Sequence, residues 1–204
     1  MNSARLAFGV SLFILSRFAH GCEVPGVRLT AALPIARVTL DTEAGEIVIA
    51  VDLKHAPLTA CNFLKYVAAG AYGGGYFGRT VRPDNQATAA VPIAVIQAYP
   101  NKDFVIFAPI ALERTKDTNL RHLDGTVSMA RKIPDDATAK FFICVGDQPE
   151  LDFGGRRNPD GQGFAAFGKI VRGMPIVQRI QAGAAEGEQL TPPVMIRSAH
   201  IAIP

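Results

Sequence analysis

Three segments near the middle of the chain decide the fold: DGTVSMAR at residues 124–131, AKFFIC at 139–144 and GFAAFGKIVRGM at 163–174. Each carries a short apolar run beside glycine or a charged residue, which is typical of a short β-strand. Directly after the third segment, the spacing of Ile176, Val177 and Ile180 behind Pro175 predicts a helix over residues 175–181. This half of the chain therefore predicts short strands followed by one short helix.

The preceding half shows the same strand pattern, interrupted once. Residues 36–42 and 46–51 alternate with the period of a strand on either side of an Ala44-Gly45 turn, which predicts a hairpin. The period then changes, because Ala60, Phe63, Leu64 and Val67 share one helical face between Pro57 and Gly70. Further strands are predicted at residues 79–81, 93–97 and 194–203. A closed barrel is the economical arrangement for so many strand edges.

Length and composition favour a single domain. The chain has 204 residues, of which 49% are hydrophobic, enough for one sizeable core. We assign residues 36–204 to this domain and residues 22–35, which show no periodicity, to a connector. The formal charge of +3 comes from 21 basic and 18 acidic residues without any basic run. Nucleic acid is therefore not expected as a partner.

The first 21 residues have the layout of a secretory signal peptide. Arg5 precedes an apolar run over residues 6–15, and the small residues Ala19 and Gly21 stand before Cys22. The run is too short to span a bilayer, which needs about 20 residues. We therefore expect an exported, periplasmic protein without a membrane span. Two alternatives stay open: an uncleaved amphipathic tail, and a lipoprotein anchored through Cys22.

The cysteines and histidines indicate no metal site. The three cysteines have neither metal-ligand spacing nor a CxxC pair. Cys61 on the predicted helix and Cys144 in a predicted strand are expected to be buried free thiols. The four histidines are scattered along the chain. No metal or cofactor is therefore expected.

The ordered set of segments, together with APLTACNFL at residues 56–64 and YGGGYFGR at 72–79, resembles the cyclophilins over roughly residues 37 to 183. The resemblance implies a mostly β protein: a closed eight-stranded antiparallel barrel capped by two α-helices. It also implies peptidyl-prolyl cis-trans isomerase activity on proline-containing polypeptides, by an enzyme expected to be a monomer. Rotation about an Xaa-Pro bond meets a barrier of about 18–20 kcal/mol, and catalysing it needs no nucleophile, metal or cofactor.

The resemblance also implies the residues of the site. Arg79 matches the arginine that cyclophilins direct at the prolyl nitrogen, and Gln97 matches the glutamine that orients it. The floor and walls of the proline pocket are matched by Phe142, Leu151 and Phe164. Ala94, Val95 and Arg131 stand where phenylalanine, methionine and a substrate-binding asparagine are usual.

Other departures favour a shallower and more charged groove. Gly78 replaces a common histidine, Lys140 a glutamine and Glu150 an aromatic residue. The loops at residues 83–92 and 152–162 are longer than usual for the family, and long loops in compact domains are often functional. These departures keep two alternatives to the enzyme open: a catalytically weak chaperone or assembly module that binds proline-containing segments, and a structural barrel with an eroded groove.

Overall fold

The computed structural model describes residues 22–24, 27–29, 35–86 and 88–202, without the side chains of residues 23 and 27–29. The signal peptide predicted over residues 1–21 lies outside this part of the chain. The strands are β1 (Cys22–Val24), β2 (Val27–Leu29), β3 (Ile35–Thr42), β4 (Gly45–Asp52), β5 (Gly75–Val81), β6 (Val95–Tyr99), β7 (Thr126–Met129), β8 (Phe141–Cys144), β9 (Ala165–Arg172), β10 (Ala185–Glu186) and β11 (Gln189–Ala202). The α-helices are α1 (Pro57–Ala68), α2 (Thr115–Thr118) and α3 (Met174–Gln181), and 3-10 turns cover Pro83–Asn85 and Pro149–Leu151.

Eight strands close into an antiparallel barrel, as predicted. Their order is β11-β3-β4-β9-β7-β8-β6-β5, and β5 pairs back onto β11. Strand β11 is longer than expected because it serves both neighbours: residues 189–196 pair with β5, and residues 196–202 pair with β3. The two-residue strand β10 adds a small hairpin to β11 beside the point of closure.

The helices bury their apolar faces in the barrel. Phe63 of α1 lies 5.3 Å from the ring of Phe141 and 4.9 Å from that of Phe167, centroid to centroid. Val177 and Ile180 of α3 are also buried. The short helix α2 was not predicted, because its four residues are polar and carry no helical periodicity. No helix in the described part of the chain is long and apolar enough to cross a bilayer.

A second, smaller apolar cluster lies outside the barrel interior. Consecutive residues of a strand point to opposite faces. Phe141 therefore enters the main core while Phe142 points outward, as the sequence predicted. This outer cluster consists of Val81, Ile93, Val95, Phe142, Cys144, Leu151 and Phe164. It is the foundation of the candidate site.

One prediction about the cysteines was wrong. Cys61 is not a free thiol: it forms a disulfide with Cys22, with 5.4 Å between the Cα atoms. Within the segment assigned to a connector, β1 (Cys22–Val24) pairs with β2 (Val27–Leu29), and the disulfide joins β1 to α1. A sulfur bonded to Cys61 has no valence left for a lipid thioether, so the lipid anchor at Cys22, which stays a prediction, would require this disulfide to be absent. Cys144 is free and buried, as predicted.

Candidate active site

A bulge in β5 places Arg79 beside Gln97. Phe77 pairs with Ala98 and Arg79 pairs with Gln97, so Gly78 is an extra residue between the two pairs. Such a bulge redirects the side chain that follows it. A Cβ atom on Gly78 would lie 2.5 Å from the ring of Tyr76, which stacks on Tyr99 at 5.2 Å. The ring of Tyr76 thus occupies the space that a larger residue at position 78 would need.

The guanidinium of Arg79 is held from two sides. Nη1 donates to Oε1 of Gln97 at 3.1 Å, and Nε donates to Oε2 of Glu188 at 2.8 Å. The same Glu188 oxygen lies 2.7 Å from Nη2. These contacts use three of the five N–H groups of a guanidinium and leave two for a ligand. Glu188 follows β10, 109 residues from Arg79, and no sequence signal connects the two.

Arg79 and Gln97 border a cavity of about 210 Å³ whose apolar lining comes from five residues of the outer cluster: Ile93, Val95, Phe142, Leu151 and Phe164. The rings of Phe142 and Phe164 meet edge to face there, 5.3 Å apart. The full lining comprises Arg79, Ile93, Val95, Gln97, Ala130, Arg131, Phe142, Leu151, Arg157, Asn158 and Phe164. An apolar floor with guanidinium donors at its edge suits a ring that has no N–H of its own to satisfy, as in proline.

All the predicted site residues except Ala94 line this cavity. Ile93 stands there instead, two residues before Val95, whereas Ala94 is not part of the lining. The backbone N–H of Ala94 donates to Oε1 of Gln148 at 3.0 Å, away from the cavity lining. Ala94 therefore does not line this cavity. Its predicted placement depended on where β6 begins after a long loop, and its role in substrate binding stays a prediction.

Arg131 lines the cavity and is bound to the loop at residues 152–162 and to Gly163 directly after it. Its Nη atoms donate to both carboxylate oxygens of Asp160, at 2.7 and 2.9 Å, and its Nε donates to the carbonyl oxygen of Gly163 at 2.7 Å. Its guanidinium carbon lies 5.2 Å from the centre of the Phe164 ring. The hydrogen bond from Arg131 lowers the pKa of Asp160 to about 2. Arg131 therefore anchors a wall of the pocket and has its charge neutralised.

A buried polar network supports the floor from behind. His122 stacks on Phe142 at 5.9 Å; its Nδ1 lies 2.7 Å from Oδ1 of Asp152 and its Nε2 lies 2.9 Å from Oγ of Ser128. Burial is the largest single influence on the pKa of Asp152 and favours a higher value, but the hydrogen bonds from His122 and the electrostatic attraction of His122 and Arg121 together outweigh it, so the pKa is lowered. The sequence showed only scattered histidines, whereas folding brings this one to an aspartate and a serine. Because Ser128 is fully buried, the network supports the Phe142 ring and is not placed to attack a peptide.

Comparison with known proteins agrees with this geometry. The sequence profile of the family described as "Cyclophilin type peptidyl-prolyl cis-trans isomerase/CLD" matches residues 37–201. The chain belongs to this family. It is 36% identical to peptidyl-prolyl cis-trans isomerase A of Dickeya dadantii, over 84% of this chain and 87% of that protein. It is 35% identical to peptidyl-prolyl cis-trans isomerase cyp18 of Streptomyces antibioticus, over 82% of this chain and 99% of that one.

A solved cyclophilin-type isomerase from Cryptosporidium parvum has the same fold. The two structures superpose with a TM-score of 0.64 at 18% sequence identity, and the match covers 83% of this chain and 99% of the solved chain. The family is one of isomerases, so the chain is an enzyme of that class. Membership of this family agrees with the barrel fold and with the order of the motifs along the chain.

The two long loops of this cyclophilin meet at the cavity. Arg157, from the second loop, donates through Nη1 to the carbonyl oxygen of Val91 at 2.8 Å and to Oε1 of Gln86 at 3.3 Å, both in the first loop. Gln86 in turn accepts from the backbone N–H of Ile93 at 3.1 Å. The loops therefore form one continuous wall and hold Ile93 in the lining.

Glu150, which stands in the place of an aromatic residue, is not part of the cavity lining. It accepts hydrogen bonds from the side chain and the backbone of Arg156, at 2.8 and 2.9 Å. These hydrogen bonds lower the pKa of Glu150. The charge that replaces the aromatic residue is thus paired within its own loop.

Proposed function

We propose that the protein accelerates rotation about Xaa-Pro bonds in extracytoplasmic polypeptides. In this proposal Arg79 donates to the prolyl nitrogen and the outer cluster holds the proline ring. The observation that carries it is the Arg79 guanidinium, held by Gln97 and Glu188 at the edge of an apolar cavity with N–H groups left over.

The chemistry needs only binding and electrostatics. As the amide twists, its resonance is lost and the nitrogen lone pair becomes available to a donor. A guanidinium already fixed in place stabilises that twisted state without reorganising, and so lowers the barrier. Phe142, Leu151 and Phe164 hold the ring in both isomers while the bond rotates. Gln97, buried beside Arg79, keeps the donor aimed.

Two features support an extracytoplasmic site of action. The first is the signal-peptide pattern before Cys22. The second is the disulfide between Cys22 and Cys61, since disulfides persist in oxidising compartments such as the periplasm and are rare in the cytosol. N-terminal analysis of the protein from its native host should find a chain that starts at or near Cys22. A mature soluble chain that starts at Met1 would contradict export.

Exchange NMR on a short Xaa-Pro peptide, with affinity measured in parallel, tests the activity. Arg79→Ala removes an interaction made mainly in the transition state, so turnover should fall on the order of 10²–10³-fold while binding changes little. Arg79→Lys keeps the charge but not the planar fork and should restore part of the rate. Phe142→Ala should weaken binding and turnover together. Arg37→Ala, at an exposed position of β3, is the matched control and should match the parent.

The second candidate is a binding module with weak catalysis. The contact between Glu188 and Arg79 favours it, because a carboxylate at 2.7 Å neutralises part of the charge that would act on the twisted amide. A parent protein that binds the peptide but does not accelerate rotation would support this module and reject the enzyme.

A further inference from the structure

Among the described residues, Arg157 is the arginine of the cavity lining that forms no ion pair. Arg79 pairs with Glu188 and Arg131 pairs with Asp160. Arg157 lines the same cavity, but no Asp or Glu oxygen in the described part of the chain lies within 4.0 Å of its guanidinium. A lone cation therefore stands beside the proline pocket.

The environment of Arg157 disfavours an unpaired charge. Burial lowers its pKa most, and repulsion from Arg79 lowers it further, while Glu188 offsets this in part. Its hydrogen bonds to the other loop both leave from Nη1. Nε and Nη2 make no hydrogen bond to any described residue. These donors are available to a ligand.

Asn158 adds a second unused donor to this wall. It lines the cavity next to Arg157, and its Nδ2 is buried without a hydrogen-bond partner among the described residues. A buried polar group without a partner is costly, so such groups normally find one. The unused groups of this wall are thus donors, one of them charged, and the matching ligand is an acceptor with negative charge.

We propose that Arg157 and Asn158 form a subsite for an acidic side chain on a residue next to the substrate proline. The inference rests on the proposed isomerase function and specifies its substrate class. Because Arg157, Asn158 and the apolar floor line one cavity, a proline ring on the floor brings its neighbouring residues within reach of both. A carboxylate there would pair with Arg157 and give the Asn158 amide an acceptor. The subsite therefore favours glutamate over glutamine, because the two side chains have similar size and only glutamate carries a negative charge.

Matched peptides test the inference. Isomerisation of Glu-Pro and Gln-Pro peptides, and of Pro-Glu and Pro-Gln peptides, is measured by exchange NMR as kcat/KM. For at least one pair, the parent should prefer glutamate on the order of three- to tenfold, and the preference should shrink at 1 M salt, where charges are screened.

Variants assign the preference to the subsite. Arg157→Gln should bring the Glu/Gln ratio to about one, and Arg157→Lys should restore part of it. Asn158→Ala, which keeps the contact between the loops, should lower the ratio without abolishing it. Arg156→Gln is the matched control, because this neighbouring arginine pairs with Glu150 outside the cavity and should keep the parent's ratio.

The possible outcomes distinguish failure of the acidic subsite from failure of the isomerase function. A parent that turns over both peptides of each pair equally, or an Arg157→Gln variant that keeps the preference, overturns the subsite and leaves the isomerase intact. A parent that turns over none of the peptides overturns the proposed function and the subsite with it.

Discussion

At the scale of single residues, Glu188 and Gln97 divide the contacts to Arg79 between them. Glu188 contacts Nε and Nη2, and Gln97 contacts Nη1. A guanidinium held at both ends has little freedom left to lose when the substrate binds. A donor placed in advance is more effective than one that must be ordered during the reaction. We therefore assign Glu188 as a positioning residue for Arg79.

Removing the Glu188 side chain tests this role. Glu188→Ala should lower kcat on the order of three- to tenfold with little change in KM, because the loosened donor acts mainly in the transition state. Glu188→Gln should keep most of the rate, since its amide oxygen still accepts from Arg79. Glu186→Gln, at an exposed position of the same hairpin, is the control for removing a carboxylate. A faster Glu188→Ala enzyme would instead show that the carboxylate masks the charge of Arg79.

At the scale of elements, the loop at residues 152–162 is attached to the barrel by the pair of Arg131 and Asp160. The Arg131 side chain is 1% exposed and follows β7, whereas Asp160 belongs to the loop. Removing either partner leaves the other without its counter-charge, and the buried arginine is the more costly one to leave. The loop should therefore loosen when Asp160 becomes protonated.

The pKa of Asp160 sets the pH range of this effect. An unfolded aspartate titrates near pH 4, and Asp160 titrates at about 2 in the folded protein. The depressed pKa means that the pair stabilises the fold fully above about pH 4 and loses this contribution as the pH falls towards 2. Urea unfolding from pH 7 to pH 2 should show this loss in the parent and a smaller one in Asp160→Asn. If the two profiles run parallel, the pair contributes nothing to stability.

The β5 bulge is the second element that shapes the site. Without the bulge, Gly78 would pair with Gln97 and Arg79 with Ile96, so the side chain of Arg79 would lie on the other face of the strand. The absence of a Cβ atom there also leaves room for Tyr76 to stack on Tyr99. The stacking of Tyr76 on Tyr99 thus explains why position 78 carries glycine where the family commonly has histidine.

At the scale of the whole molecule, the disulfide joins the N-terminal hairpin to the helix that fills the barrel. Cys22 and Cys61 are 39 residues apart, and the side chain of Phe63, on the same helix, packs in the core. Closing a loop of this length restricts the unfolded chain by about 4 kcal/mol in the chain-entropy estimate. The link therefore stabilises the barrel as well as the hairpin.

Reduction of the oxidised protein tests this contribution. Dithiothreitol should lower Tm, and the Cys22→Ser/Cys61→Ser double variant should have the lower Tm with or without reductant. Thiol titration of the protein unfolded without reductant should detect one thiol, that of Cys144. Unfolding exposes this buried thiol, whereas Cys22 and Cys61 remain joined in the disulfide. Burial also raises the pKa of the Cys144 thiol, so it should not react in the native protein. Three reactive thiols in the unreduced protein would exclude the disulfide.

The sequence by itself determined the eight barrel strands, the two longer helices, and the identity of most residues around the cavity. Strand and helix periods are local properties of the chain, and Phe141 and Phe142 had to face opposite sides whatever the tertiary structure. Only folding decided the contacts of Arg79 with Glu188, of Arg157 with Val91, and of Cys22 with Cys61, which join residues 109, 66 and 39 positions apart. Folding likewise placed Ile93 in the lining in preference to Ala94. These outcomes depend on how the barrel closes and how two long loops pack on each other, and no short-range pattern along the chain records either.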